Sequence, residues 1–139
     1  MKKPSATNSA KPPEPPVFFI DRSVASRTVV AALREAGAQL VLQDDLFAQN
    51  TPDTAWLAEA DRQRWLVLTM DQRIRYNPLE QQALLGSGVG AFIVVAKGLN
   101  GAATAACLVA ALPALAAFAH QNPRPFIAKV YADGRVVRL

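Results

Sequence analysis

The chain has 139 residues, of which 51% are hydrophobic, 19% charged and 7% aromatic, a profile of one ordinary globular domain and not of a disordered, fibrous or disulfide-stapled chain. A single cysteine, Cys107, cannot form an internal disulfide, which removes zinc-finger and thiol-redox readings and suits a reducing cytosol. The formal charge of +4 splits in two: Lys2, Lys3 and Lys11 against Glu14 leave +2 in residues 1–16, and the other 12 bases and 10 acids leave +2 in the remainder, too mild a surplus to argue for a large phosphate-binding face.

Residues 1–16, MKKPSATNSAKPPEPP, hold five prolines and no apolar run. They read as a disordered, proline-rich tail without the apolar stretch of a secretory signal. The domain is expected to span 17–139. Val17 to Ile20 reads as a first strand, and Ser26 to Ala36 as a helix, with Ser26 as N-cap and Gly37 placed to end it. Leu40 to Leu42 is a second strand. Thr51-Pro52-Asp53 opens the next helix, the threonine capping, the proline at the first helical position and the carboxylate in the first turn. Leu66 to Thr69 is a third strand, Asn77-Pro78 starts a helix ending near Gly86, and Ala91 to Val95 is a fourth strand.

Leu99 to Ala119 carries no charge and is about long enough to cross a bilayer. Its alanine bulk, the helical recurrence of Leu108, Leu112 and Leu115, and Pro113 point instead to a buried, kinked helix packed on a sheet, with no membrane partner. Phe126 to Tyr131 and Val136 to Leu139 flank Asp133-Gly134, a two-residue hairpin signal. Strand and helix alternate up to that point. The expected fold is α/β, with a mainly parallel sheet covered on both faces and a C-terminal β-hairpin.

Ligands of such a sheet bind beyond the carboxyl ends of the strands. Asp21 follows the first strand, Asp44 and Asp45 the second, and Asp71 the third, with Thr69 two residues before it; Asp53, in a helix's first turn, can face the same edge. Carboxylates at one rim repel, by roughly 4 kcal/mol for two charges about 4 Å apart at an effective dielectric of 20. A proton, an arginine or a bound cation relieves this, and oxygen-only ligands favour Mg²⁺ or Mn²⁺. Such an ion would activate a water for attack on a phosphodiester. Arg73 and Arg75 after Asp71, and Arg22 and Arg27 after Asp21, are placed to hold phosphate oxygens, and Tyr76 beside Arg75 to contact a nucleotide. Lys97 adds a cation after the fourth strand. Taken singly, each aspartate is better explained by a turn or helix start; the combination outlines a nuclease site. Glu59, Asp61, Glu80 and Asp133 read as solvated charges, His120 as a helix-end base, Cys107 as core, and Trp56 and Trp65 as anchors of a helix on the sheet.

The strand ending FFID at Asp21, the helix opening PDTAWL at Asp53 and the Leu68-Thr69-Met70-Asp71 strand end resemble the PIN-domain superfamily, in particular compact PIN-like proteins grouped with VapC-type toxins. The likeness spans about residues 17 to 139. It implies a three-layer α/β/α sandwich and a cytoplasmic, Mg²⁺- or Mn²⁺-dependent endoribonuclease, with an RNA substrate and a cognate antitoxin as partners, and it leaves a homodimer open. Asp21, Asp53 and Asp71 would be metal ligands and Thr69 a supporting hydroxyl. Many members carry a glutamate in an early helix and another acid just after the Thr-x-Asp. Here that second position holds Arg73, and Asp45 or Asp44 is the candidate substitute ligand. The alternatives are a PIN-like module that acts through binding alone and, more weakly, a phosphoacceptor domain.

Overall fold

A computed structural model describes residues 15–95 and 98–139. Most of the expected tail, and Lys97, lie outside them. The elements are β1 (Val17–Ile20), a 3₁₀ turn (Arg22–Val24), α1 (Arg27–Glu35), β2 (Gln39–Leu42), a one-turn α2 (Gln43–Leu46), α3 (Asp53–Gln63), β3 (Leu66–Thr69), a one-turn α4 (Arg73–Tyr76), α5 (Pro78–Gly86), β4 (Gly90–Val94), α6 (Gly101–Gln121), β5 (Phe126–Val130) and β6 (Val136–Arg138).

The strands form one sheet in the order β2-β1-β3-β4-β5-β6, parallel except for the antiparallel β5–β6 pair. Alternate residues of each strand face opposite layers. Phe18, Ile20, Leu66, Leu68, Phe92, Val94, Phe126 and Ala128 pack with Val29 and Leu33 of α1 and with Leu108, Ala111 and Leu115 of α6. Phe19, Val67, Ala91, Ile93 and Ile127 pack on the other face with Trp56, Leu57 and Ala60 of α3 and Leu84 of α5. Both faces are therefore covered, as short, uniformly apolar strands require. The result is a three-layer α/β/α sandwich with a C-terminal hairpin.

Polar caps set several boundaries. Ser26 Oγ accepts from the Val29 amide, Asn77 Oδ1 from Leu79 and Glu80, and Asn100 Oδ1 from Ala103, each satisfying amides that a helix start leaves free. The start of α3 departs from expectation. Pro52 occupies the capping position without a side-chain bond, and Asp53 is the first helical residue, so Thr51 does not cap. Asp44 and Asp45 lie on α2 and not in a loop, and the segment after Asp71 coils into α4. The hairpin loop is one residue longer than the two-residue turn expected: Tyr131 N donates to Arg135 O, Gly134 N to Tyr131 O, and Gly134 takes a positive φ of 87°, the pattern of a three-residue loop closed by a left-handed glycine. The apolar α6 runs through Pro113 and buries Ala105, Leu108, Ala111 and Leu115 inside the domain. By length and hydropathy it matches a membrane span.

The chain leaves β1 for β2 on one side and returns to β3 on the other, so β1 and β3 are neighbours at a topological switch point. A crevice opens there, beyond the carboxyl ends of the two strands.

Candidate active site

Asp21 and Asp71 leave the sheet at that switch point, from β1 and β3. Asp21 N donates to Leu68 O at 3.0 Å, which prolongs the β1–β3 pairing by one residue and turns the carboxylate to the rim. Asp21 Oδ2 caps the 3₁₀ turn, accepting from Ser23 N at 3.2 Å and from the Ser23 hydroxyl. It also accepts from the buried Thr69 hydroxyl at 2.9 Å. Thr69 Oγ1 in turn accepts from Asp71 N at 3.1 Å, and Ser23 Oγ from Met70 N at 2.9 Å. Two hydroxyls thus tie the loops after β1 and β3 into one polar unit.

A cavity of about 510 Å³ opens over this unit, lined by Asp21, Arg22, Ser23, Gln43, Asp53, Thr69, Asp71, Arg73 and Glu80 and floored by Trp56, Leu57 and Leu84. The three aspartates expected at the site, with Thr69, Arg22 and Arg73, share this one cavity. Asp53 comes from the first turn of α3, where the helix dipole favours a carboxylate, and accepts from Trp56 Nε1 at 3.0 Å. Trp56 is itself fixed by stacking on Phe19 at 5.2 Å between ring centroids. A larger cavity, about 670 Å³, lies at the opposite end of the sheet near Leu66 and Arg124 and is lined by no carboxylate; chemistry, not size, selects the site.

Of the three remedies for crowded carboxylates, the structure shows the arginine. Arg73 grips Asp71 with Nε at 3.0 Å from Oδ1 and Nη2 at 2.7 Å from Oδ2, and its backbone amide donates to Oδ1 at 3.0 Å. The guanidinium holds the Asp71 carboxyl below the usual aspartate value, against the opposing effect of burial. Arg73 is itself held more firmly protonated by Asp71 first, and then by the charges of Glu80 and Asp53. One cation therefore sits among three of the acids of the cavity.

Asp21, Asp53 and Asp71 are each engaged by a protein donor. The donor set, four carboxylates with hydroxyl and amide oxygens, fits a hard divalent ion by its chemistry. As the side chains stand, no three acidic, histidine or cysteine residues converge to hold one ion among the described residues. Arg73 occupies both oxygens of Asp71, so an ion at that carboxylate would compete with it.

The remaining expected residues divide. Arg22 lines the cavity and pairs through Nε with Asp44. Asp45 is exposed on α2 and lies outside the cavity, because the turn of helix there directs it to solvent. Arg75 and Tyr76 wall the neighbouring groove, because α4 rotates them away from Arg73. Ser23, Gln43 and Glu80 join the site without having been singled out as functional. Ser23 carried a signal, a hydroxyl two residues after a rim aspartate, and Gln43 another, a polar residue directly after β2. Glu80 carried none, since its approach depends on how α5 folds back.

The fold is a parallel α/β sandwich with carboxylates gathered at its switch point. The family model described as PIN like domain matches residues 16–96. The chain is also 31% identical over 126 residues to a Mycobacterium tuberculosis protein named "Putative ribonuclease VapC45", covering 88% of this chain and 90% of that one. No solved structure matches. The chain belongs to the PIN-like domain family.

Proposed function

We propose that the protein is a divalent-metal-dependent ribonuclease, the toxin of a toxin–antitoxin pair, acting in the cytoplasm at the β1–β3 switch point. The observation that carries this reading is the meeting of Asp21, Asp53 and Asp71, from three separate segments, on one cavity that also holds Arg22 and Arg73. The likeness to a protein named as a VapC ribonuclease supports it. Asp21, Asp53 and Asp71 would hold Mg²⁺ or Mn²⁺, which when bound supplies water activation and charge neutralisation. Thr69 and Ser23 hold Asp21 at the rim. Arg73, once released from Asp71, and Arg22 bind phosphate oxygens through paired hydrogen bonds. The cognate antitoxin is the protein partner that this role brings.

Incubation with single-stranded RNA and Mn²⁺ tests the proposal: cleavage is expected, with loss in Asp71→Asn. Cleavage of the same rate in that variant overturns the assignment. The Arg73 clamp on Asp71 favours a second reading, a PIN-like module that binds RNA or protein without cutting. Absence of calorimetric heat for Mn²⁺ at millimolar concentration, with no cleavage, decides for it.

A further inference from the structure

Beside the acidic cavity lies a groove of about 350 Å³, lined by Met70, Gln72, Arg75, Tyr76, Val95 and Leu99 among others. It shares Met70 and Gln72 with the acidic cavity, so the two form one continuous surface at the ends of β3 and β4. Gln72 braces the shared wall, donating to Met70 O at 2.9 Å and Val94 O at 2.7 Å.

The chemistry of this groove differs from that of the cavity. Its walls are mainly apolar, and they carry one aromatic ring, Tyr76, paired with a cation. The Arg75 guanidinium carbon lies 4.9 Å from the Tyr76 ring centroid, and Tyr76 is 73% exposed, unusual for a large aromatic side chain with no partner to cover it. Val95 N donates to Val130 O at 2.9 Å, which puts Tyr131, the next residue, one strand over from the groove wall. Lys129 Nζ lies 5.5 Å and the Arg135 guanidinium carbon 4.7 Å from the Tyr131 ring. Asp133 accepts from Arg135 Nε at 2.8 Å and so offsets part of this charge. Lys129 first, with Arg75 and Arg135, holds the Tyr131 phenol below its ordinary value, so the charge of Arg75 reaches Tyr131 as well as Tyr76. Arg75 Nε has no hydrogen-bond partner among the described residues.

We propose that this groove, walled by Arg75 and Tyr76 and continued on the neighbouring strand by Tyr131 with Lys129 and Arg135, seats a single-stranded RNA nucleotide flanking the scissile phosphate. The inference rests on the nuclease reading for its position relative to the cut. The exposed Tyr76 ring, with the half-buried Tyr131 ring beyond it, offers a stacking face to any base, and neighbouring cations meet the backbone phosphates. Bases of a duplex are stacked on one another and cannot enter, so the groove selects unpaired RNA. The acidic cavity then receives the phosphodiester and the aromatic groove fixes its register.

Fluorescence anisotropy with a labelled single-stranded RNA in EDTA reads the groove without cleavage. Tyr131→Leu and Tyr76→Leu are each expected to weaken binding about tenfold, the scale of one lost base stack. Tyr131→Phe, which keeps the ring, retains wild-type affinity, and a duplex of the same sequence binds more weakly than the single strand. Tyr76 does not belong to the hairpin, so its variant reads out the groove even if Tyr131→Leu fails to fold. Wild-type affinity in both leucine variants, or preference for the duplex, overturns the proposal. A wild-type protein that binds with this pattern but never cleaves with Mn²⁺ overturns the nuclease reading and supports the groove. Intact cleavage with leucine variants that bind like wild type overturns the groove alone.

Discussion

Thr69 donates its hydroxyl to Asp21 Oδ2 at 2.9 Å while accepting from the Asp71 amide at 3.1 Å, so one buried side chain orients an aspartate on each of two neighbouring strand ends. Thr69→Val keeps the shape and removes both bonds. It is expected to cost about 1–3 kcal/mol, the penalty of leaving buried polar groups unpaired, and to depress RNA cleavage more than folding. Urea denaturation and a cleavage assay check it, with Thr69→Ser expected to restore both.

The Asp71–Arg73 pair gives stability a pH dependence of defined sign. The folded carboxyl titrates below its unfolded value, about 3.9 for a free aspartate, because the guanidinium stabilises the charged form. Its contribution is therefore complete above the unfolded value and is lost as pH falls through the folded one. In Arg73→Gln the carboxyl returns towards the ordinary value, and the acid limb of melting temperature against pH becomes shallower. Parallel limbs for the two proteins would contradict this.

Arg73 also competes for the carboxylate that an ion needs. Arg73→Ala is expected to tighten Mn²⁺ binding roughly tenfold in calorimetry, a gain of about 1.4 kcal/mol, while weakening RNA binding in EDTA. Unchanged metal affinity would show that the clamp does not guard the site.

Gly90 opens β4 against the ring of Phe126. A Cβ there would stand 2.6 Å from two Phe126 ring carbons, and Phe126 is fully buried and packed edge-on against Phe92 and Phe118 at 5.3 and 5.1 Å. Gly90→Ala is expected to cost about 1–3 kcal/mol through overpacking, measurable by denaturant unfolding. Gly86→Ala, where nothing lies within 4 Å of the added carbon, is the matched control.

Local signals carried the framework. Four-residue apolar runs can be buried on both faces only in a covered parallel sheet, and caps such as Ser26 and Asn77 act within three residues, so strands, helices and the acidic rim were legible in one dimension. That Asp21, Asp53 and Asp71 would share a cavity followed from their places at strand and helix ends. The tertiary structure alone decided the partners. Arg73 closes on Asp71 and Arg22 on Asp44, Asp45 turns to solvent, Glu80 folds in with α5, and Val130 pairs with Val95, bringing Tyr131 from the far end of the chain to the strand next to the groove. Those outcomes depend on side-chain direction after a strand ends and on contacts between distant segments, which residue order does not encode locally. The sequence thus determined where charge would collect, and packing determined which cation met it.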